Sequence, residues 1–224
     1  MTYEELAQYF PINKELFDSY LTFLIETNKK INLTSIVDKS EMILKHLYDS
    51  LLISKIYDFN NKNVLDVGSG GGFPGIPLAI MFPNARFVLM EPTHKKANFL
   101  NDTIKLLGLK NVEVVIARAE EYKNHEQYDA VISRALADLP IYLELVAHLT
   151  KINGNIIALK GSKGNEELYR AKNAIHILNL ALIQKQEESL PKTNDKRINL
   201  VFIKLDRTNK RYPRLFAKIK KQPL

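Results

Sequence analysis

A short apolar strand, Asn63-Val64-Leu65-Asp66-Val67, runs straight into Gly68-Ser69-Gly70-Gly71-Gly72-Phe73-Pro74-Gly75, a loop holding five of the nine glycines in the chain. Residues without Cβ let a backbone turn through positive φ and come within contact of a bound molecule. A helix opening near Pro74 to Pro77 directs its positive N-terminal end at the same spot. The loop therefore fixes a strand-loop-helix unit around which the rest of the chain must be arranged, and it marks a cofactor site.

After residue 62, strand and helix patterns alternate. Strands are expected at Val64 to Val67, Arg86 to Met90, Val112 to Ile116, Ala130 to Ser133 and Ile156 to Leu159. Helices are expected from about Gly75, through Ala97, Leu100, Ile104 and Leu107 with Gly108 closing it, and through Leu139, Tyr142, Leu143, Val146 and Leu149. A further helix runs through Leu168, Ala171, Ile175, Leu178 and Leu182, and two last strands, Leu182 to Gln186 and Asn199 to Leu205, are joined through Pro191-Lys192-Thr193-Asn194-Asp195. This alternation predicts an α/β fold with a mostly parallel, doubly wound seven-stranded sheet, helices on both faces, and an antiparallel member from the last hairpin. Residues 1–61 read differently. Leu16, Phe17, Tyr20, Leu21 and Leu24 recur at helical spacing, as do Leu44, Leu47, Tyr48, Leu51 and Leu52 after the capping candidate Ser40. The organisation expected is an N-terminal helical extension, 1–61, packed on a body, 62–224, that carries a basic C-terminal end.

In such a sheet the ligand sits at the carboxyl ends of the strands. Those ends are Asp66 with the glycine loop, Glu91, Arg118-Ala119-Glu120, Ser133-Arg134-Ala135 and Lys160-Gly161. Two cofactors compete. Gly70-Gly71-Gly72-Phe73-Pro74-Gly75 satisfies the letters of the dinucleotide fingerprint, with Glu91 about 20 residues beyond Gly70. The alternative register, Asp66-x-Gly68-x-Gly70-x-Gly72, resembles the first motif of the S-adenosylmethionine-dependent methyltransferases. S-adenosylmethionine carries an ammonium, a sulfonium and a carboxylate where a dinucleotide carries a pyrophosphate, so Asp66 beside the loop favours the methyl donor. Glu91 suits the ribose diol of either.

Charge points to the partner. The formal net charge is +7, distributed as −3 over residues 1–61, +1 over 62–160 and +9 over 161–224. A basic excess gathered at one end suits a polyanion such as RNA. The chain has no cysteine, which removes disulfides, thiolate metal sites and a cysteine nucleophile, and accords with a reducing cytoplasm. His46, His94, His125, His148 and His176 show no ligand spacing, so no metal is expected. No run approaches the roughly 20 apolar residues that span a bilayer, and the acidic start Met1-Thr2-Tyr3-Glu4-Glu5 is unlike a signal peptide. A cytoplasmic monomer is expected.

Five blocks together carry a more specific resemblance. Ile31-Asn32-Leu33-Thr34, His46-Leu47-Tyr48-Asp49-Ser50-Leu51, the run from Asp66 to Pro77, Ser133-Arg134-Ala135 and Arg211-Tyr212-Pro213-Arg214 are similar to the bacterial small-subunit ribosomal RNA guanine-N7 methyltransferases, the RsmG or glucose-inhibited division protein B family. The resemblance spans nearly the whole chain. It implies a Rossmann-like S-adenosylmethionine-dependent methyltransferase fold, and methyl transfer to N7 of a guanine in small-subunit (16S) ribosomal RNA. It also implies that Gly68, Phe73, Ala119, Glu120 and Arg134 contact the cofactor, beside Asp66, Gly70 and Glu91 from the reading above. Arg118 and Lys160 at the cofactor mouth, with Arg211 and Arg214 in the basic tail, are the expected RNA contacts, Tyr212 offering a face for a base. The tail departs from the family after Arg214, where Leu215-Phe216-Ala217-Lys218-Ile219 is more apolar than the usual Gly/Pro-rich segment.

The residues that are absent agree. Cytosine C5 methylation normally uses a cysteine nucleophile, and exocyclic amines are usually served by an Asn/Asp-Pro-Pro-aromatic loop; the chain has neither. Guanine N7 offers an in-plane lone pair with no proton to remove, so no catalytic base is assigned. Ribose 2′-hydroxyl methylation, which does need help with deprotonation, is the nearest competitor within the class. From another class, the alternative is a basic RNA-binding ribosome-assembly factor that uses the glycine loop only as a turn.

Overall fold

The computed structural model describes residues 1–123 and 125–224. Seven strands form one sheet: β1 (Asn63–Val67), β2 (Arg86–Met90), β3 (Val112–Val115), β4 (Tyr128–Arg134), β5 (Thr150–Lys160), β6 (Leu180–Ser189) and β7 (Lys196–Lys204), in the order β3-β2-β1-β4-β5-β7-β6. β1 to β5 are parallel, with Leu65 beside Val88 on one side and Val131 on the other, while β7 pairs antiparallel with β5 and β6. The order reverses between β1 and β4, which opens the crevice where ligands bind such sheets. The Ser133 hydroxyl donates to Val67 O at 2.8 Å and ties the two strand ends together across that crevice.

The N-terminal region comprises α1 (Tyr3–Leu6), α2 (Lys14–Asn28) and an irregular helical run of α3 (Lys39–Met42), a π-helical turn over Ile43–Tyr48, α4 (Asp49–Leu51) and a 3-10 turn over Leu52–Lys55. Asn13 caps α2 through Leu16 N, and the buried stripe Phe17, Tyr20, Leu21 and Leu24 follows the helical period. The cap of α3 is Asp38, which accepts from Glu41 N; Ser40, the cap expected from sequence, donates its hydroxyl to that same carboxylate. Leu6, Phe17, Leu24, Leu47 and Leu51 share one buried cluster with Val64, Phe87 and Ile132 of the sheet, so the apolar core runs continuously across residue 61.

The other helices are α5 (Gly75–Met81), α6 (His94–Leu107), α7 (Leu139–Val146), α8 (Gly164–Arg170), α9 (Lys172–Ile177) and α10 (Phe216–Lys221). Gly108 ends α6 in the left-handed conformation at φ 64°, as the sequence suggests. The long helix expected from Leu168 to Leu182 is instead two short ones broken at Ala171, and β6 begins at Leu180 after Asn179 turns through φ 55°. α10 lies in the divergent tail. It docks on α7 through Arg214, whose backbone N, Nε and Nη2 donate to the fully buried Glu144 carboxylate at 3.0, 2.7 and 2.6 Å.

Removing one partner of a buried, charge-assisted pair leaves the other without compensation. Glu144→Ala is expected to lower the unfolding free energy by about 3–5 kcal/mol, read from the urea midpoint at constant m. A loss below ~1 kcal/mol, the range of exposed pairs, would mean that water replaces the carboxylate freely.

Candidate cofactor and substrate site

The glycine loop uses three left-handed residues, Gly68 at φ 73°, Gly70 at 56° and Gly72 at 94°. Two carboxylates hold it. Asp66, fully buried beneath the loop, accepts from Gly75 N through Oδ2 at 3.0 Å, and Glu91, 4% exposed, accepts from Gly70 N at 3.0 Å and from Thr93 N at 2.9 Å. A Cβ on Gly75 would lie 2.7 Å from Asp66 Oδ2 and 2.3 Å from Leu89, so only glycine admits this approach. The amides of Gly68 and Ser69 donate to Met90 O, and those of Gly72 and Phe73 to Ser69 O. From the N-terminal region, the Tyr20 hydroxyl donates to Gly71 O.

This bonding separates the two cofactors left open by sequence. A pyrophosphate needs free amides at the loop and at the helix N-terminus. Here the Gly75 amide that opens α5 is bonded to Asp66 and the Gly70 amide to Glu91, so neither is free for a diphosphate. Asp66 and Glu91 shape the loop from below. The expectation that Asp66 itself meets the cofactor is corrected, since its side chain is enclosed.

Burial pushes the Asp66 carboxyl up to about 7, against the opposing pull of Ser69, the Gly75 amide and the Arg134 charge. Its second oxygen has no hydrogen-bond partner among the described residues, which a neutral carboxyl tolerates better than a carboxylate.

Two cavities flank the loop after β4. The first, about 110 Å³, is lined by Val67, Gly68, Met90, Pro92, Arg118, Ala119, Glu120, Leu136 and Phe216. It brings together the sequence-predicted Gly68, Ala119, Glu120 and Arg118. Ala135, at φ 56°, turns Leu136 over the glycine loop, where a Cβ on Gly68 would come within 2.6 Å of the leucine. Gly70 faces open space: among the described residues, a Cβ at this position would meet only Gly68 O, at 3.8 Å. The apolar walls, the Glu120 carboxylate and the bare loop suit an adenosine moiety, and the donor set fits S-adenosylmethionine.

The second cavity, about 580 Å³, lies between β4, β5, β7 and the irregular N-terminal run, and charged side chains of both signs line it, Lys45, Asp49, Arg134, Asp138, Lys160, Glu167 and Arg197, beside His46. Asp49, 5% exposed, bridges two guanidinium groups, accepting from Arg197 Nε at 2.8 Å and Arg134 Nη1 at 3.3 Å. Arg134 lies over the Phe73 ring, 5.0 Å from its centroid, and His46 stacks on the same ring at 4.4 Å. Arg134 Nη2 is 3.2 Å from His46 Nδ1. A guanidinium can only donate, while Lys45 O, which can only accept, lies at the same 3.2 Å from Nδ1, and Nε2 reaches Thr34 Oγ1 at 2.7 Å. Burial and the Arg134 charge push the His46 pKa down to about 3, so the ring is neutral. Asn28 in turn fixes Leu33 and Thr34 through their amides. The Ile31–Thr34 and His46–Leu51 blocks thus meet Arg134 and Phe73 in one network.

Three expected RNA contacts are placed otherwise. Lys160 is 8% exposed, paired with Glu167 at 2.8 Å and bonded to Ala137 O. Arg214 is bound to Glu144, and the Tyr212 ring is buried, with Arg211 across its face at 5.0 Å. These groups are occupied in holding the fold, so Tyr212 offers no free face to a base. Arg211 itself is exposed. The sequence reading missed roles for Leu136, Phe216, Asp49 and Arg197; Asp49 stood in a quoted block and Phe216 in the apolar tail segment, each without a role, and nothing local marked Leu136 or Arg197.

A family model described as rRNA small subunit methyltransferase G (GidB) matches residues 13–201. The ribosomal RNA small subunit methyltransferase G of Mycoplasma capricolum is 44% identical over 218 residues, covering 95% of this chain and 94% of its own length. That of Staphylococcus epidermidis is 41% identical and covers 94% and 90%. Among solved structures, TYW2 of M. jannaschii in complex with AdoMet superposes with a TM-score of 0.61 at 19% identity, covering 79% of this chain and 80% of that one. A SAM-dependent methyltransferase from Aquifex aeolicus gives 0.58 at 15%, covering 81% and 98%. The structural likenesses show the fold, a Rossmann-like methyltransferase sheet.

Two measurements test the site. Gly70→Val places a β-branched residue at φ 56° on the open face of the loop, and is expected to abolish calorimetric binding of S-adenosylmethionine while the circular dichroism spectrum stays native; unchanged affinity would remove the loop from the site. Asp66 binds a proton in the folded state that the unfolded chain, with a carboxyl near ~3.9, has released, so its contribution to stability falls as pH rises from about 4 to 7. Asp66→Asn is expected to flatten that fall in denaturant unfolding, and an identical pH profile in the variant would contradict the assignment.

Proposed function

The chain belongs to the rRNA small subunit methyltransferase G family, and on that premise we propose that it transfers a methyl group from S-adenosylmethionine to N7 of a guanine in 16S ribosomal RNA, acting as a cytoplasmic monomer. The observation that carries this reading is the pairing of a small apolar slot at the glycine loop with a larger cleft of charged side chains on either side of the Ser133–Ala137 loop. When bound, the donor supplies an electrophilic methyl group on sulfur. Gly68, Ala119 and Glu120 would hold its adenosine, with the Glu120 carboxylate accepting from the base amine or the ribose hydroxyls. Glu91, at the end of β2, keeps the loop in register beneath it.

The chain's own residues then have to align and shield. Guanine N7 presents its lone pair in the plane of the ring, so orientation and electrostatics suffice. The state of His46 supports this reading. It is neutral, held between Arg134, Lys45 O and Thr34 and stacked on the Phe73 ring, which leaves it to position Arg134 and Phe73. Arg134 and Arg197, held by Asp49, give the cleft a fixed cationic wall that suits a nucleotide phosphate or the electron-rich edge of guanine. Arg118 at the cofactor mouth and Arg211 in the tail remain candidates for the phosphate backbone. No described helix is long and apolar enough to cross a membrane.

Mass-spectrometric mapping of 16S ribosomal RNA tests the proposal. RNA from cells lacking the protein is expected to lose one N7-methylguanine, recovered on incubation with the wild-type protein and S-adenosylmethionine. Unchanged guanine modification, with RNA binding retained, would favour the assembly-factor reading instead.

A further inference from the structure

The small cavity is not closed by the sheet edge alone. Phe216, which lies past residue 201 where the family model's match ends, lines it together with Gly68, Ala119, Glu120 and Leu136. The segment that carries Phe216 is firmly placed. α10 has six residues, too few to be stable alone, yet Tyr212 and Ile219 on either side of Phe216 are buried in the core cluster that contains Val67, Met90 and Ala119. Arg214 donates to Glu144 on α7 and, through Nη2, to Gln222 O past the far end of α10, so one guanidinium ties both ends of the tail helix to the body.

Phe216 itself remains 39% exposed, at a cavity whose other walls include the apolar side chains of Met90, Pro92 and Leu136. Folding leaves a rigidly carried aromatic ring half in water at the mouth of a slot that is apolar inside. Such a surface gains most from a flat heterocycle, which covers the ring and is itself removed from water. The three lysines of the helix, Lys218, Lys220 and Lys221, offer no acceptor that would compete for the base amine.

We propose that Phe216 is a cofactor-binding residue whose ring forms the outer wall of the adenine subsite, so that the tail from Tyr212 onward belongs to the donor site. The proposal rests on the cofactor reading above and adds a residue that the glycine loop and strand ends do not supply. The subsite then takes the adenosine of a sulfonium or of a thioether, with or without the amino-acid arm.

Calorimetric titration of the full-length protein with S-adenosylmethionine and, separately, with 5′-methylthioadenosine tests this. Phe216→Ala is expected to weaken both by about tenfold, the equivalent of ~1.4 kcal/mol and within the range for a lost base–aromatic stack. Phe216→Leu, which keeps apolar bulk without the flat face, should fall between the two, and Leu215→Ala, at an 83% exposed neighbour, should match wild type. Equal affinities in wild type and Phe216→Ala would overturn the proposal, as would a loss confined to RNA affinity, which would make the ring an RNA contact. A wild-type protein that binds neither compound would instead sink the cofactor reading itself, and this proposal with it.

Discussion

The structure depends on two buried carboxylates that bond the amides of the glycine loop. Three residues in the left-handed region within five positions would leave an isolated loop free to take many shapes. Asp66 fixes its far end at Gly75, Glu91 its middle at Gly70, and Tyr20 reaches in from α2 to hold Gly71 O. The loop is thereby a rigid floor. Its Gly70 and Gly75 amides are already bonded, which disfavours a diphosphate.

From that floor the remaining parts follow by position. β1 and β4 diverge at the switch point, and the loop after β4 divides the space above into an apolar slot and a polar cleft. Segments remote in sequence complete both: His46 and Asp49 from the first sixty residues and Arg197 from β7 in the cleft, Phe216 from the tail in the slot. Asp49 is the counterpart of Asp66 on this side, a buried carboxylate that sets the geometry of two arginines. The site therefore draws on the chain from its N-terminal helices to its last helix.

How much of this was legible depended on whether the signal was local. β1, β2 and the end of α6 were readable because each is written in a short window: an apolar run, a period, a closing glycine. Ser40 and Asp38 compete for the same cap within two residues, and sequence alone could not choose between them. The break at Ala171 lies inside an unbroken apolar period, so the period carried the predicted helix too far. Charged residues misled most. Lys160 read as a free cation at the cofactor mouth and Arg214 as one in the basic tail, yet each meets a carboxylate, Glu167 seven residues on or Glu144 seventy residues back, that only the folded chain brings to it. Phe216 was visible as an apolar departure, but its place beside Gly68 needed α10 to be docked.

The central claim is that the donor lies on the carboxylate-held loop with its adenosine in the slot of Gly68, Ala119 and Glu120. A crystal structure with S-adenosylhomocysteine bound tests it most directly. The account predicts the adenine ring in that slot and the amino-acid arm running over Gly70 toward the Arg134 side. Density for the ligand in the Asp49–Arg197 cleft, or a loop whose Gly70 and Gly75 amides had left Glu91 and Asp66 to bind it, would contradict it.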